Sequence, residues 1–271
     1  MPFVDIHSHL LPGVDDGAKD MEQSVRMARL AVEDGIRLSL VTPHHLNGVY
    51  SNPVSEIRRH LNGLREALLA EGIDLKLLPG AELHLVPELP DELARGTAMT
   101  VAGLGKAALV ELPVHTVPHG VGTVLEQIMS QGITPIVAHP ERNSELRQNP
   151  EILSDWVEMG CLAQVTGMAC TGKFGPQVQE SAREMVQGGL IHYMASDAHR
   201  DSRRIPRMSD GRDQIARWTN DEVATLLTET NPAALVIGEE PDLDRLYSAL
   251  EPDRKSSGWR RWLGWRSAPA P

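Results

Sequence analysis

The chain alternates between amphipathic stretches with helical spacing and short apolar runs that are typical of buried strands. At five places a helix-like stretch ends in a glycine and an apolar run follows directly; these are Gly35, Gly72, Gly132, Gly160 and Gly189. Glycine adopts the left-handed conformation that ends helices at little cost, and residues with high β propensity then begin a strand. The recurrence of this unit predicts a regular alternation of helices and strands.

Seven apolar runs are predicted strands: 3–7, 37–42, 75–80, 107–112, 134–139, 162–167 and 191–196. Helices are predicted near 20–34, 53–71, 120–131, 149–159, 176–188 and 212–229, whereas the connection 83–106 is less regular. Alternation of this kind with nearly continuous apolar strands predicts a parallel sheet covered by helices. The predicted fold is therefore α/β, a closed or distorted (β/α)7 barrel with outer helices, and the alternative is an open doubly wound sheet.

Length and composition fit one large core, since the chain has 271 residues and 41% of them are hydrophobic. From about residue 251 the sequence changes to a basic stretch rich in tryptophan and arginine. We therefore predict a barrel domain over 1–250 and a C-terminal tail over 251–271.

The charge of the chain argues against nucleic acid as a partner. Lysine and arginine number 26 against 37 aspartates and glutamates, a formal net charge of −11, whereas a phosphate backbone requires a cationic surface.

The N-terminus has no signal-peptide pattern, and no apolar run reaches the roughly 18 residues that a membrane helix needs. With only Cys161 and Cys170, no disulfide framework is indicated. We predict a cytoplasmic protein.

Almost every predicted strand carries a metal-ligating side chain near its C-terminal end, where parallel α/β folds place their chemistry. These residues are His7 and His9, His44, Glu82, Glu111, His139, and Asp197 and His199. Imidazole and carboxylate together suit Mn, Fe, Zn or Mg. The set exceeds what one ion needs, so two or three ions are predicted. Asp5 is predicted to orient a histidine rather than to bind metal.

Other histidines lie outside this pattern and are predicted to be structural or on the surface: His60, His84, His115, His119 and His192. His45 follows the candidate ligand His44 and is either a general acid or structural. Arg142 and Arg204 are candidate phosphate binders, because guanidinium presents its donors in a fork that matches phosphate oxygens. For Arg204 the alternative is a surface salt bridge, since Arg200, Arg203 and Arg207 lie nearby.

Three common phosphatase and hydrolase motifs are missing. A cysteine phosphatase needs an arginine six residues after its cysteine, and here Gly167 and Pro176 occupy those positions. The sequence also has no GxxxxGK[ST] loop and no GxSxG elbow.

The sequence resembles the PHP (polymerase and histidinol phosphatase) family, and within it the bacterial tyrosine-protein phosphatases of capsule and exopolysaccharide operons. The resemblance covers about residues 3–240. The matching motifs are DIHSHLLPGVDDG (5–17), TPHH (42–45), GAEL (80–83), VELP (110–113), AHPERN (138–143), TGKFG (171–175) and SDAH (196–199). One departure is GMACTGKFG (167–175), where relatives tend to carry a run similar to Asn-Ala-Gly-Ser.

The resemblance implies a site for three ions, with manganese preferred and Fe, Zn, Mg or Co as alternatives. One ion would be held by His7, His9, Glu82 and Asp197, and a second by Glu82, Glu111 and His139. Asp16, His44 and His199 would hold the third. The implied partner is the phosphotyrosine-containing tail of a bacterial tyrosine kinase that controls polysaccharide synthesis.

The resulting hypothesis is direct hydrolysis of a phosphomonoester, with ions that activate water and arginines that offset phosphoryl charge. No covalent phosphoenzyme is expected. One alternative is a small-molecule phosphatase of the same superfamily, for example one acting on histidinol phosphate. Another is a non-catalytic binding partner of the kinase, which the full ligand set disfavours. A TatD-like metal nuclease is disfavoured by the acidic charge.

Residues 253–271 are basic, with five arginines and lysines against Asp253, a side-chain balance of +4. Trp259, Trp262 and Trp265 recur at a spacing of three, which would place them on one face of a short helix. Tryptophan with arginine favours the inner face of the membrane or an acidic partner surface. The alternative is a disordered tail.

Overall fold

The computed structural model describes residues 2–254, and strands and helices alternate through most of this range. Residues 255–271, which carry most of the predicted basic tail, lie outside the described residues. Among the residues that are described, no helix combines the length and the apolar character that a membrane crossing requires.

All strand pairs in the described range are parallel, as the sequence predicts. The strands are β1 (Phe3–Asp5), β2 (Ile36–Val41), β3 (His44–His45), β4 (Lys76–Pro79), β5 (Glu82–His84), β6 (Ala107–Glu111), β7 (Thr134–Ala138), β8 (Leu162–Thr166) and β9 (Tyr193–Ala195). They form two sheets with the orders β1-β2-β4 and β3-β5-β6-β7-β8-β9.

Two predicted strands, 37–42 and 75–80, are each followed after a two-residue break by a further short strand that the sequence did not predict, and the chain passes from one sheet to the other at the break. Pro43 separates β2 from β3, because proline has no backbone N–H to donate to a ladder. Gly80 separates β4 from β5, and a Cβ at this position would lie 3.1 Å from Thr42 Cγ2. The close approach of the two breaks therefore favours glycine.

The segment after β1 lies between the segments that follow β2 and β9. His9 N donates to Ala198 O at 2.8 Å, and Thr42 N donates to Ser8 O at 2.8 Å. Ser8 and Ala198 also form an isolated parallel bridge. The predicted α/β class with parallel strands is confirmed, while closure of the two sheets into one barrel stays a prediction.

Helices pack against the strands. They are α1 (Met21–Glu33), α2 (Val54–Ala70), α3 (Leu89–Ala94), α4 (Val121–Ser130), α5 (Ser144–Gln148), α6 (Pro150–Met159), α7 (Gly167–Cys170), α8 (Pro176–Gln187), α9 (Ser209–Trp218), α10 (Asp221–Thr225), α11 (Asn231–Leu235) and α12 (Leu243–Arg254). For example, α1 packs on β2, α2 on β4 and α4 on β7. Short 3₁₀ turns lie at Val101–Gly103 and Pro140–Arg142, and a π turn lies at Leu226–Thr230.

The single helix predicted over 212–229 is wrong. The helix α9 ends at Trp218, and Asn220 begins α10 by accepting a hydrogen bond from Val223 N at 3.0 Å. Asparagine is a strong N-cap residue, so Asn220 starts a new helix where apolar periodicity alone suggests continuation.

Apolar side chains on both faces of the sheet are buried, which explains the nearly continuous apolar strands. Leu109 and Ile136 belong to an inner cluster with residues of β1, β2, β8 and β9. Their neighbours Val110 and Val137 belong to the larger cluster beneath the helices. With the strand faces filled in this way, polar side chains collect at the strand ends.

Candidate metal centre

The nine ligands expected from the sequence and the family resemblance lie together at the C-terminal ends of the strands. Six of them are buried, whereas the side chains of His44, Glu111 and Asp16 are 12%, 15% and 48% exposed. The full set is His7, His9, Asp16, His44, Glu82, Glu111, His139, Asp197 and His199.

Strand geometry brings the first members of the set together. His7 and His9 continue the extended segment of β1 at a spacing of two, so both rings project to one side and their Nε2 atoms lie 3.3 Å apart. His44 lies opposite Glu82 in the ladder between β3 and β5. Its Nδ1 is 3.1 Å from Glu82 Oε2.

Sharp backbone turns at strand ends direct the side chains of other predicted ligands toward His7, His9 and Glu82. His139 and Asp197 follow β7 and β9 with φ values of 34° and 50°, and Arg204 has a φ of 49°. Non-glycine residues rarely adopt positive φ, and where they do, the strain is often found at functional sites. Of the five such residues among those described, three belong to the predicted site.

The ligand atoms fall into four overlapping groups, each with its atoms within 4.8 Å of one another. The groups are His9, Asp16, His44 and His199; His7, Glu82 and His139; His7, His9 and Asp197; and His44, Glu82 and Glu111. Glu82 is shared, since its Oε2 lies 3.2 Å from His7 Nε2 and its Oε1 lies 2.7 Å from His139 Nε2. This grouping places His9 beside the three residues that the resemblance assigns to one ion.

Several atoms at the centre of the site are buried and accept or donate no hydrogen bond among the described residues. They are Glu82 Oε2, Asp197 Oδ1 and His44 Nδ1. A buried polar atom without a partner is costly, and these atoms converge on one another. Oxygen and imidazole nitrogen are the ligands that Mn, Fe and Zn share, so the residues fit bound divalent ions.

The surroundings of both central carboxylates favour their ionised forms. Burial would raise the pKa of Glu82, but the neighbouring imidazole of His7 and the contact with His139 Nε2 at 2.7 Å hold it well below its usual range. Burial likewise acts against ionisation of Asp197, but the charge of Arg204 together with the surrounding histidines holds its pKa well below normal. Ionised carboxylates are what divalent cations require.

Two residues that the sequence argument missed hold histidine rings in place. His9 Nδ1 lies 2.7 Å from Asp15 Oδ2, and His7 Nδ1 lies 2.9 Å from Gln164 Oε1. Such contacts fix the tautomer and leave Nε2 free for metal. A signal for Gln164 did exist, because it is the one polar side chain within the run LAQV of β8.

Asp5 acts through backbone rather than through a histidine ring. Its Oδ1 accepts hydrogen bonds from His7 N at 3.3 Å and Ser196 N at 2.9 Å, and Ser196 Oγ donates to Oδ2 at 2.5 Å. Burial raises the pKa of Asp5 to about 6. Asp5 therefore connects β1 to the strand end that carries Asp197.

The turn that carries the two adjacent aspartates depends on Gly17. A Cβ at this position would lie 2.3 Å from His9 O and 2.5 Å from His9 Cβ. Gly17 N also donates to Asp15 Oδ1 at 2.8 Å. Because His9 approaches so closely, only glycine fits the third position of the Asp-Asp-Gly motif.

Both candidate arginines contact Asp197. Arg142 Nη1 donates to Asp197 Oδ2 at 2.7 Å, and Arg204 Nη2 donates to the same oxygen. Their side chains keep exposed fractions of 22% and 24%, so each guanidinium also reaches the mouth of the site. Arg204 is therefore not in a surface salt bridge, whereas Arg207 pairs with Asp34 and Asp210.

The cysteines and two of the other histidines are structural. Cys161 and Cys170 are buried, and burial raises the pKa of the Cys161 thiol to about 12. His192 accepts a hydrogen bond from Ala163 N at 3.0 Å, and burial lowers its pKa to about 3. His45 accepts a hydrogen bond from Asn52 N at 2.9 Å, and burial lowers its pKa, which disfavours a role as a proton donor.

The chain is similar to known proteins in both sequence and structure. The family model "Capsular polysaccharide synthesis, CpsB/CapC" matches residues 3–237. The chain is 37% identical to tyrosine-protein phosphatase YwqE of Bacillus subtilis over 84% of its own length and 89% of that protein. It is 29% identical to tyrosine-protein phosphatase CpsB of Streptococcus pneumoniae over 88% of its own length and 99% of that protein.

A solved structure from work on YwqE and CpsB, described as unique metal-dependent tyrosine phosphatases, superposes with a TM-score of 0.84. The sequences are 36% identical, and the match covers 87% of this chain and 95% of that one.

Proposed function

This chain belongs to the CpsB/CapC family of capsular polysaccharide synthesis, and we propose that it is a metal-dependent tyrosine-protein phosphatase. The observation that carries the proposal is the convergence of four ligand groups with two arginines at one end of the strands. Metal ligands alone would suit many hydrolases. The added guanidinium groups favour a phosphate ester as substrate.

We assign the nine ligands to two or three ions, with manganese the expected metal. Glu82 is the shared ligand at the centre, and Asp16, His44 and His199 form the outermost part together with His9. When bound, the ions would lower the pKa of water and neutralise phosphoryl oxygens. Asp15 and Gln164 would keep His9 and His7 oriented for the ions.

The arginines would bind the phosphoryl group and offset the charge that develops on it in the transition state. Asp197 holds both of them through Oδ2, which leaves Oδ1 for metal. Hydrolysis would be direct, since both cysteines are buried and no activated nucleophilic side chain lies among the ligands. A covalent phosphoenzyme is not expected.

The substrate we propose is a phosphotyrosine-containing segment of a bacterial tyrosine kinase that controls capsule or exopolysaccharide synthesis. The support is the family itself and its relatives named as tyrosine-protein phosphatases. We also propose a cytoplasmic location, where such a kinase tail would be accessible.

Turnover by metal-free protein reconstituted with one metal at a time would test the function. We expect Mn²⁺ to restore hydrolysis of a phosphotyrosyl peptide, at a kcat/KM well above that for histidinol phosphate. Higher efficiency on histidinol phosphate would instead support a small-molecule phosphatase. Absence of turnover with every metal would contradict the proposal.

A further inference from the structure

Phe174 is an aromatic residue in the loop between α7 and α8, next to the candidate phosphate binder Arg142. Its ring lies against Arg142, with Arg142 Cζ 5.2 Å from the ring centroid. The guanidinium is thus held on one side by Asp197, through Nη1 at 2.7 Å, and on another by an aromatic face.

We propose that Phe174 is a positioning residue that holds Arg142 in its phosphate-binding orientation. This inference rests on the proposed function, because Arg142 is assigned to the substrate phosphate there. A cation over an aromatic face is attracted by the ring quadrupole, most strongly where water is excluded. The ring would therefore restrict a long side chain that otherwise has many rotamers.

The two arginines give a reason why Arg142 needs this support. Arg142 and Arg204 both donate to Asp197 Oδ2, which brings two positive charges to one oxygen. Their mutual repulsion weakens the hold of this oxygen on each guanidinium, although carboxylates such as Glu82 and Glu141 still attract Arg142. The negative face of the Phe174 ring adds a further attraction for Arg142.

The loop itself is built to keep Phe174 in place. Lys173 N donates to Met168 O at 3.1 Å, and Gly175 N donates to Gly172 O at 3.0 Å. Gly172 and Gly175 have φ values of 77° and 95°, which glycine adopts without strain. Phe174 also packs against the main hydrophobic core, and these contacts hold its ring in place.

The backbone of Arg142 is also held by hydrogen bonds. Phe174 would therefore affect only the orientation of the Arg142 side chain. Arg142 N donates to His139 O at 2.9 Å, and Arg147 Nη1 donates to Arg142 O at 2.7 Å. Removal of the ring would leave these bonds intact. The expected consequence is loss of phosphate binding without loss of the fold.

The test uses the full-length, Mn²⁺-loaded protein and the variants Phe174→Leu, Phe174→Tyr, Arg142→Ala and the double variant Phe174→Leu/Arg142→Ala. Two quantities are measured: the affinity for inorganic phosphate by calorimetry and the kinetics on a phosphotyrosyl peptide. Phe3→Leu is the matched control, because Phe3 is the chain's other phenylalanine. It is the first residue of β1, at the end of that strand away from His7 and His9, and it lies against Gly35.

We expect Phe174→Leu to weaken phosphate binding and to lower kcat/KM by about two- to thirtyfold, the range of a cation–π contact. Phe174→Tyr should stay near wild type, as should Phe3→Leu. In the Arg142→Ala background, Phe174→Leu should have no further effect on phosphate affinity, because its partner is already gone.

Equal losses from Phe174→Leu with and without Arg142 would overturn the inference, as would a wild-type phosphate affinity in Phe174→Leu. Loss of bound manganese in Phe174→Leu would also overturn it, since the residue would then support the metal site in general. Failure of the proposed function is read separately, as absence of wild-type turnover on the peptide.

Discussion

His9 Nδ1 lies 2.7 Å from Asp15 Oδ2, and this contact turns the Nε2 atom of His9 toward Glu82 and Asp197. The other oxygen of Asp15 accepts a hydrogen bond from Gly17 N, so the carboxylate also holds the turn that carries Asp16. Asp15 therefore orients the candidate ligand His9 and also stabilises the loop that carries the candidate ligand Asp16.

Asp15→Asn should weaken manganese binding by about 10- to 100-fold, the usual effect of losing a partner that orients a metal ligand. The amide keeps the size of the side chain but removes the charge that favours the required histidine tautomer. Titration of metal-free protein with Mn²⁺ measures the change. Asp20→Asn is the control, because Asp20 caps α1 and asparagine caps equally well; equal affinities for the two variants would refute this role of Asp15.

Chelation should abolish hydrolysis of a phosphotyrosyl peptide, and Mn²⁺ should restore it, because every proposed ligand acts through bound ions. The measurement is turnover after EDTA treatment and dialysis, followed by stepwise addition of metal. Full activity sustained after dialysis would remove the metal hypothesis. Iodoacetamide should have little effect, since both cysteines are buried and burial raises the pKa of each thiol.

His139→Ala should lower kcat by about two orders of magnitude or more, through loss or displacement of an ion. The imidazole lies 2.7 Å from Glu82 Oε1, the shared carboxylate of the site. Kinetics and metal analysis on purified protein test this expectation. His119→Ala serves as the control because His119 is exposed on the loop after β6, and a comparable loss in that variant would show that the effect is not specific to the ligand.

Arg142→Ala should reduce phosphate affinity by about 10- to 100-fold, the value of a hydrogen bond to a charged group. Metal content should stay unchanged, because Arg204 still holds Asp197 Oδ2. Competition by inorganic phosphate, with metal analysis in parallel, separates the two effects. Metal loss as severe as in His139→Ala would mean that Arg142 supports the scaffold rather than the substrate.

Gly211→Ala should destabilise the fold by about 1–3 kcal/mol, because an added methyl group would overpack a close contact. A Cβ at Gly211 would lie 2.7 Å from Gly167 Cα and 2.9 Å from Met194 Sδ. Gly63→Ala, inside α2, should instead stabilise it by up to about 1 kcal/mol, since its nearest neighbour would be 3.9 Å away. Denaturant unfolding of the two variants measures the contrast, and similar stabilities would argue against the tight packing of α9.

The sequence by itself determined the α/β class and the location of the candidate site. Strand ends can be read from local patterns, such as the spacing of two between His7 and His9. Parallel strands bring their C-terminal ends to one edge, so residues such as Glu82 and His139 were expected to meet although 57 positions separate them. The prediction from apolar periodicity was wrong at Asn220. This residue is the N-cap of α10 and separates two helices where the periodicity indicates one.

Only the tertiary structure decided which side chains contact each other within the site. The pairing of Gln164 with His7, and the meeting of Arg142 and Arg204 at one oxygen of Asp197, depend on register between strands and on side-chain rotamers. Neither is encoded in residue spacing along one segment. Contacts between distant segments are set by how the whole core packs, and for that reason the sequence predicted the ligands of the site but missed Asp15 and Gln164, which hold two of them in place.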